Sequence, residues 1–203
     1  MSLNVITKQH HRHDWQNRCI TGLAILLILG GTYSLITAFT PWFQAQLINP
    51  TNNSTTQRLA DTPAEKITEN RLYIPKIDIN LPYNTGGAET MDHGAWWRRP
   101  ENGNPADGGN FILSAHRFIM GLTPEQTLRK SPFYNVDRLQ HGDQIIIDYN
   151  GKRYTYIISD IFEVKPEDVY IENRTEQPQL TLYSCTLGGA NDGRNVFVAK
   201  LKP

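Results

Sequence analysis

Of the two cysteines in the chain, Cys19 and Cys185, only the second stands where a thiol can be put to use. Cys185 closes the strand-like pattern Gln179-Leu180-Thr181-Leu182-Tyr183-Ser184-Cys185, and Thr186-Leu187-Gly188-Gly189-Ala190 follows at once, reading as a flexible loop. A nucleophile at a strand end beside such a loop is rigidly placed yet reachable, as covalent catalysis requires. A lone cysteine on a strand is more often a small buried hydrophobe, so its neighbours must decide. His116 ends the apolar run Phe111-Ile112-Leu113-Ser114-Ala115 and can therefore face a neighbouring strand end, whereas His93 lies in a glycine-rich loop and His141 in the Gln140-His141-Gly142-Asp143 turn. Arg194 opens the last strand, with eight residues between it and Cys185. If those two strands are neighbours, the intervening loop brings the guanidinium back toward the sulfur. A permanent cation there would favour the thiolate and donate hydrogen bonds to a developing oxyanion.

The elements that must hold these residues are short strands. Residues 72–79 alternate around Pro75, which suggests one edge or irregular strand. Residues 110–116, 179–185 and 195–201 give further strands, and residues 144–149 and 152–162 flank Asn150-Gly151, a strong hairpin signal because both positions of a type I′ turn need positive φ. Helical signals are brief: Thr123-Pro124-Glu125 opens one turn, and residues 131–139 hold another. Short, evenly spaced strands with little helix indicate an all-β barrel or sandwich.

The N-terminal part is of another kind. No charged residue occurs over residues 19–57, and residues 20–39 are an apolar run long enough to cross a bilayer. Before it, Lys8, Arg12 and Arg18 outweigh Asp14, so the positive-inside rule makes residues 1–18 a cytoplasmic tail and residues 19–43 a single-pass anchor. Trp15, Trp42 and Phe43 fall near its two ends. A cleaved signal peptide fits less well, since Ile36 precedes Ala38 and Phe43 precedes Ala45 where a small residue is wanted. Residues 44–70 are polar and read as an extracellular stalk, leaving residues 71–203 as the folded domain. His10, His11 and His13 read as a solvated tail rather than a metal site. Twenty basic side chains balance twenty acidic ones, which argues against nucleic acid as a partner.

With these residues in view, the sequence resembles the sortase family. Thr181-Leu182-Tyr183-Ser184-Cys185 is similar to the signature Thr-Leu-x-Thr-Cys, and Arg194 stands at the spacing that several sortase classes use. Leu72-Tyr73-Ile74-Pro75-Lys76-Ile77 resembles the family's first strand, and Gly109-Asn110-Phe111-Ile112-Leu113-Ser114-Ala115-His116-Arg117 its histidine strand. Leu139-Gln140-His141-Gly142-Asp143-Gln144-Ile145 resembles the turn before its central hairpin, so the likeness covers residues 72–201. Ser184 departs from the usual Thr and Ala115 from the usual Gly. With no acidic cluster of the class A calcium type and no class C lid motif, the pattern is closest to classes D and E.

The resemblance implies a closed, sortase-like β-barrel with short helices behind one N-terminal transmembrane helix. It implies Cys185 as nucleophile, His116 as general acid and base, and Arg194 on the oxyanion side, with Thr181, Leu182, Ser184 and Arg117 meeting the substrate. No metal or other cofactor is implied. The expected partners are surface proteins bearing a C-terminal sorting signal of the Leu-Pro-x-Thr-Gly type, an acceptor amine on a peptidoglycan precursor or a pilin, and the membrane. An L,D-transpeptidase lacks support because its Ser-x-Gly-Cys type context is missing. The remaining alternatives are a pilus-assembling enzyme and an inactive binding module of the same fold.

Overall fold

The computed structural model describes residues 3–63 and 67–203, with side chains from Trp15 onward; the side chains of His10, His11 and His13 lie outside the described residues. Helix α1 (Leu3–Leu47) runs unbroken through the apolar segment and past Pro41. Its part from Trp15 to Leu47 is long and apolar enough to cross a membrane. Helix α2 (Ser54–Asp61) follows, capped by Asn53, whose side chain accepts from the Thr56 amide. The segment expected to be a bare stalk is therefore partly helical and docked. Asn53 Nδ2 donates to the Pro75 carbonyl at 2.6 Å, and Ser54 Oγ and the Thr55 amide donate to Asp78 Oδ1 at 2.8 and 2.9 Å. Its polar composition serves these contacts rather than solvation alone.

Nine strands follow: β1 (Arg71–Ile74), β2 (Ile79–Asn84), β3 (Ala95–Arg98), β4 (Gly103–Asn104), β5 (Gly108–Ser114), β6 (Gln144–Tyr149), β7 (Lys152–Val164), β8 (Gln179–Thr186) and β9 (Gly189–Leu201). Their order is β3-β2-β1-β6-β7-β9-β8-β5-β4, and β3 also pairs with β5, which closes eight of them into a barrel with β4 appended. Closure removes the unpaired edges that an open sheet would present. Helix α3 (Pro124–Lys130) lies between β5 and β6, with Thr123 as its cap accepting from the Gln126 amide.

The single strand expected over residues 72–79 is two. Pro75-Lys76-Ile77 forms a 3-10 turn, Asp78 adopts φ 53°, and the chain reverses so that Ile74 pairs with Ile79. Proline offers no amide to a ladder, so the break falls where its ring stands. At the β6–β7 hairpin Asn150 and Gly151 have φ 47° and 78°, the two positive values that a type I′ turn demands.

Alternation then sorts each strand into two faces. Phe111, Leu113, Ile145, Ile147, Leu180, Leu182, Phe197 and Ala199 point into the barrel and form its core. Ile112, Tyr183 and Val196 point outward, where Ile171 of the β7–β8 connection covers them as a second, smaller cluster.

Candidate active site

The outer face carries the site. On β8 the residue two beyond Tyr183 is Cys185, so the thiol shares the outward face with Tyr183 and Thr181. On β9 Val196 points outward, and Arg194, two residues earlier, shares its face; Cys185 and Arg194 are register partners across the antiparallel ladder. On the other side β5 and β8 run parallel with Ser114 opposite Tyr183. His116, two residues past Ser114, therefore reaches the level that Cys185 reaches two residues past Tyr183. Three adjacent strand ends thus bring Cys185, His116 and Arg194 to one groove of about 470 Å³ that all three line.

The loop after Cys185 is better ordered than its glycines suggest. Leu187 and Gly188 form a tight turn, Thr186 pairs with Gly189, and Ala190, Asn191, Asp192 and Gly193 bulge out before pairing resumes at Arg194. Thr186 Oγ1 donates to Asp192 Oδ2, which ties the bulge to the turn. Arg194 Nη1 donates to the Ala190 and Gly193 carbonyls, both at 2.9 Å, so the bulge also holds the guanidinium.

His116 is a quarter exposed, with Nε2 3.7 Å from Asp92 Oδ1. Its carbonyl accepts from the Phe133 amide at 3.1 Å, which fixes the chain just past the end of β5. His93 and His141 are both exposed and do not line the groove. Cys19 is exposed on α1, remote in sequence from the barrel.

Of the four residues expected to meet substrate, only Arg117 lines the groove. It is almost fully buried, pairs through Nη2 with Asp137 at 3.1 Å, and leaves Nε and Nη1 without a partner among the described residues. Burial pulls its guanidinium below the ordinary arginine range, with Asp137 opposing the shift. Thr181, Leu182 and Ser184 do not line the groove. Leu182 is a core side chain, Ser184 points inward and its Oγ donates to the Cys185 carbonyl, and Thr181 Oγ1 donates to buried Asn110 at 2.7 Å. A pattern ending in a reactive residue contains the scaffold as well as the site.

Other groove residues carry no sequence signal of their own. Trp96, Met91 and Ile119 give it apolar walls, and Arg98 stacks on the Trp96 ring at 4.1 Å. Arg98 also pairs with buried Glu172 at 2.7 Å, and the Tyr183 hydroxyl donates to the same carboxylate at 2.6 Å. Burial pushes the Glu172 carboxyl up. Hydrogen bonds from Arg98 and Tyr183, the Arg98 charge and a further bond from Arg99 together outweigh it and hold the group below the usual carboxylate range. The network bolts the β7–β8 connection onto the outer face, beside the groove.

Known proteins resemble this chain in sequence and fold. Residues 72–202 match the model of the sortase domain. The chain is 33% identical over 115 residues to sortase A of Streptococcus agalactiae, covering 56% of this chain and 44% of that one. It is 29% identical over 131 residues to sortase SrtE1 of Streptomyces coelicolor, covering 57% and 35%. The matches thus span less than half the length of these relatives. Among solved structures it is similar to sortase C-1 from Actinomyces oris, with 26% identity, 77% and 86% of the two chains covered and a TM-score of 0.56. The fold is also similar to that of Listeria monocytogenes sortase A, at 19% identity, 68% and 88% coverage and a TM-score of 0.56. The chain belongs to the sortase family.

Proposed function

We propose that this protein is a membrane-anchored cysteine transpeptidase that cleaves a C-terminal sorting signal at its Thr-Gly bond and joins the new carboxyl end to an amine of peptidoglycan. The observation that carries this reading is the meeting of Cys185, His116 and Arg194 at three adjacent strand ends in one groove.

The Cys185 thiolate attacks the threonine carbonyl carbon, forming a C–S bond and an oxyanion that Arg194 stabilises. Collapse breaks the C–N bond as His116 protonates the departing glycine amine. An incoming amine then attacks the thioester, gives its proton to His116 and releases the thiolate. The apolar wall of Trp96, Met91 and Ile119 suits the Leu-Pro portion of the signal. Helix α1 anchors the enzyme with residues 1–18 in the cytoplasm and the barrel outside, where a membrane-held substrate and a lipid-linked acceptor both lie.

Incubation with a library of sorting-signal peptides and candidate amines, read by mass spectrometry, tests this reading. A peptidoglycan-type amine should be joined to the threonine with loss of the C-terminal fragment. Product with a pilin lysine alone would reassign the acceptor, and no cleavage of any signal would leave a binding module. Protease added to protoplasts should remove the barrel and spare the tail.

A further inference from the structure

Helix α1 divides into a bare part and a covered part. Every residue from Trp15 to Ile36 is exposed, whereas Thr37, Pro41 and Ala45, spaced by four on one face, are buried against the domain. Beyond Arg18, the last charged residue before the apolar run, the bare stretch Cys19–Ile36 is about 27 Å long at ~1.5 Å per residue, close to the ~30 Å hydrocarbon thickness of a bilayer. Trp15 then stands about one turn before it and Tyr33 about one turn short of its outer end, near the two interfaces where amphipathic rings settle. This places the outer boundary of the membrane near Tyr33, some turns earlier than the apolar composition alone suggests.

One loop of the domain lies at that level. The Tyr33 hydroxyl donates to the Leu122 carbonyl at 2.8 Å. Leu122 belongs to Phe118-Ile119-Met120-Gly121-Leu122, between β5 and α3, where all four apolar side chains are exposed, Met120 at 49% and Leu122 at 81%. Contiguous apolar exposure of this kind marks a surface meant to be covered. Part of the loop's backbone is also satisfied within the protein. The Ile119 amide donates to Ser131 Oγ at 2.9 Å, the Gly121 amide to Thr127 Oγ1 at 2.9 Å and the Leu122 amide to Gln126 Oε1 at 3.0 Å. The Ile119 carbonyl accepts from Ser131 Oγ. Gly121 permits the close approach, since a Cβ there would stand 2.5 Å from Gln126 Cβ. Backbone groups satisfied internally are what an apolar medium demands.

We propose that the loop of residues 118–122 inserts into the outer leaflet and docks the barrel on the lipid surface. The proposal rests on the anchor reading above. Glu125, exposed on the first turn of α3, stays at the headgroup level and limits the depth. Phe118 and Ile119 also line the groove beside His116, so the docked groove opens at the membrane surface, where a tethered substrate arrives.

Full-length protein carrying Cys19→Ser and Cys185→Ser, with single cysteines introduced at Leu27, Leu122 or His141 and labelled with nitrobenzoxadiazole, tests this in phosphatidylcholine–phosphatidylglycerol vesicles. His141 follows Arg138, which bonds to the Ala45 carbonyl, and Ala45 lies about 18 Å along α1 from Tyr33 at ~1.5 Å per residue. Deep spin-labelled lipids should quench the Leu27 probe, shallow ones should quench the Leu122 probe several-fold more than the His141 probe, and the His141 probe should stay unquenched. If the Leu122 probe behaves like the His141 probe while the Leu27 probe is quenched, the docking proposal falls and the anchor stands. An unquenched Leu27 probe would overturn both. In the otherwise native chain, Leu122→Asp should lower turnover of a vesicle-tethered signal several-fold and leave hydrolysis of the same peptide in solution unchanged; equal rates on both substrates would also overturn the docking proposal.

Discussion

Strand β8 presents two faces that differ in everything but their backbone. Leu180, Leu182 and Ser184 point into the barrel and are buried, while Thr181, Tyr183 and Cys185 point outward beneath or beside the β7–β8 connection. The inward face sets the strand's register and supplies stability. The outward face uses that register to place the sulfur beside Arg194 and level with His116. One residue of slip would exchange the two faces and bury the nucleophile, so the chemistry depends on side chains that touch no substrate.

Substitutions on the outward face should destroy turnover and leave the fold intact. His116→Ala is expected to cut turnover by about 10²- to 10⁴-fold, while the same change at exposed His93 or His141 should cost little. Arg194→Lys keeps a charge and loses the planar fork. Turnover should fall by about 10²- to 10³-fold, the usual cost of one oxyanion donor, with circular dichroism unchanged; a lysine variant with most of its activity would leave charge alone as the requirement.

Inward substitutions should do the reverse. Leu182→Ala removes a fully buried side chain and should lower stability by about 2–5 kcal/mol. Its residual folded fraction should retain near-normal turnover per molecule, and a loss of turnover without a loss of stability would break the division between faces. Glu172 tests the boundary of the outer face. Its folded carboxyl is held below the usual range, so it stabilises the native state above the unfolded value of about 4.3, and that contribution disappears as pH falls through the depressed folded value. Denaturant titrations from pH 6 downward should show a smaller acid-induced loss in Glu172→Gln than in the native chain.

The groove was legible where local chemistry dictates it. Asn150-Gly151 demands a type I′ hairpin, and the apolar runs ending at His116 and Cys185 are strand ends in the fold. Strand β2 is hidden because the alternation of residues 72–79 continues across the Pro75 turn, and β3 because it is only four residues long. Arg98, Glu172 and Tyr183 meet only through tertiary pairing, with Arg98 and Glu172 separated by 74 positions. No local pattern foretells such a contact. The signature does not say which of its members face inward, as Leu182 and Ser184 do, or which outward one is engaged elsewhere, as Thr181 is with Asn110.

The central claim is that the outward thiol of β8 forms the covalent intermediate. With a sorting-signal peptide and no amine present, intact-mass spectrometry of the protein should show a gain equal to the acyl fragment ending in threonine, located on Cys185 and absent from Cys185→Ala. An adduct that persists in Cys185→Ala, or product formed at the full rate by that variant, would contradict the account.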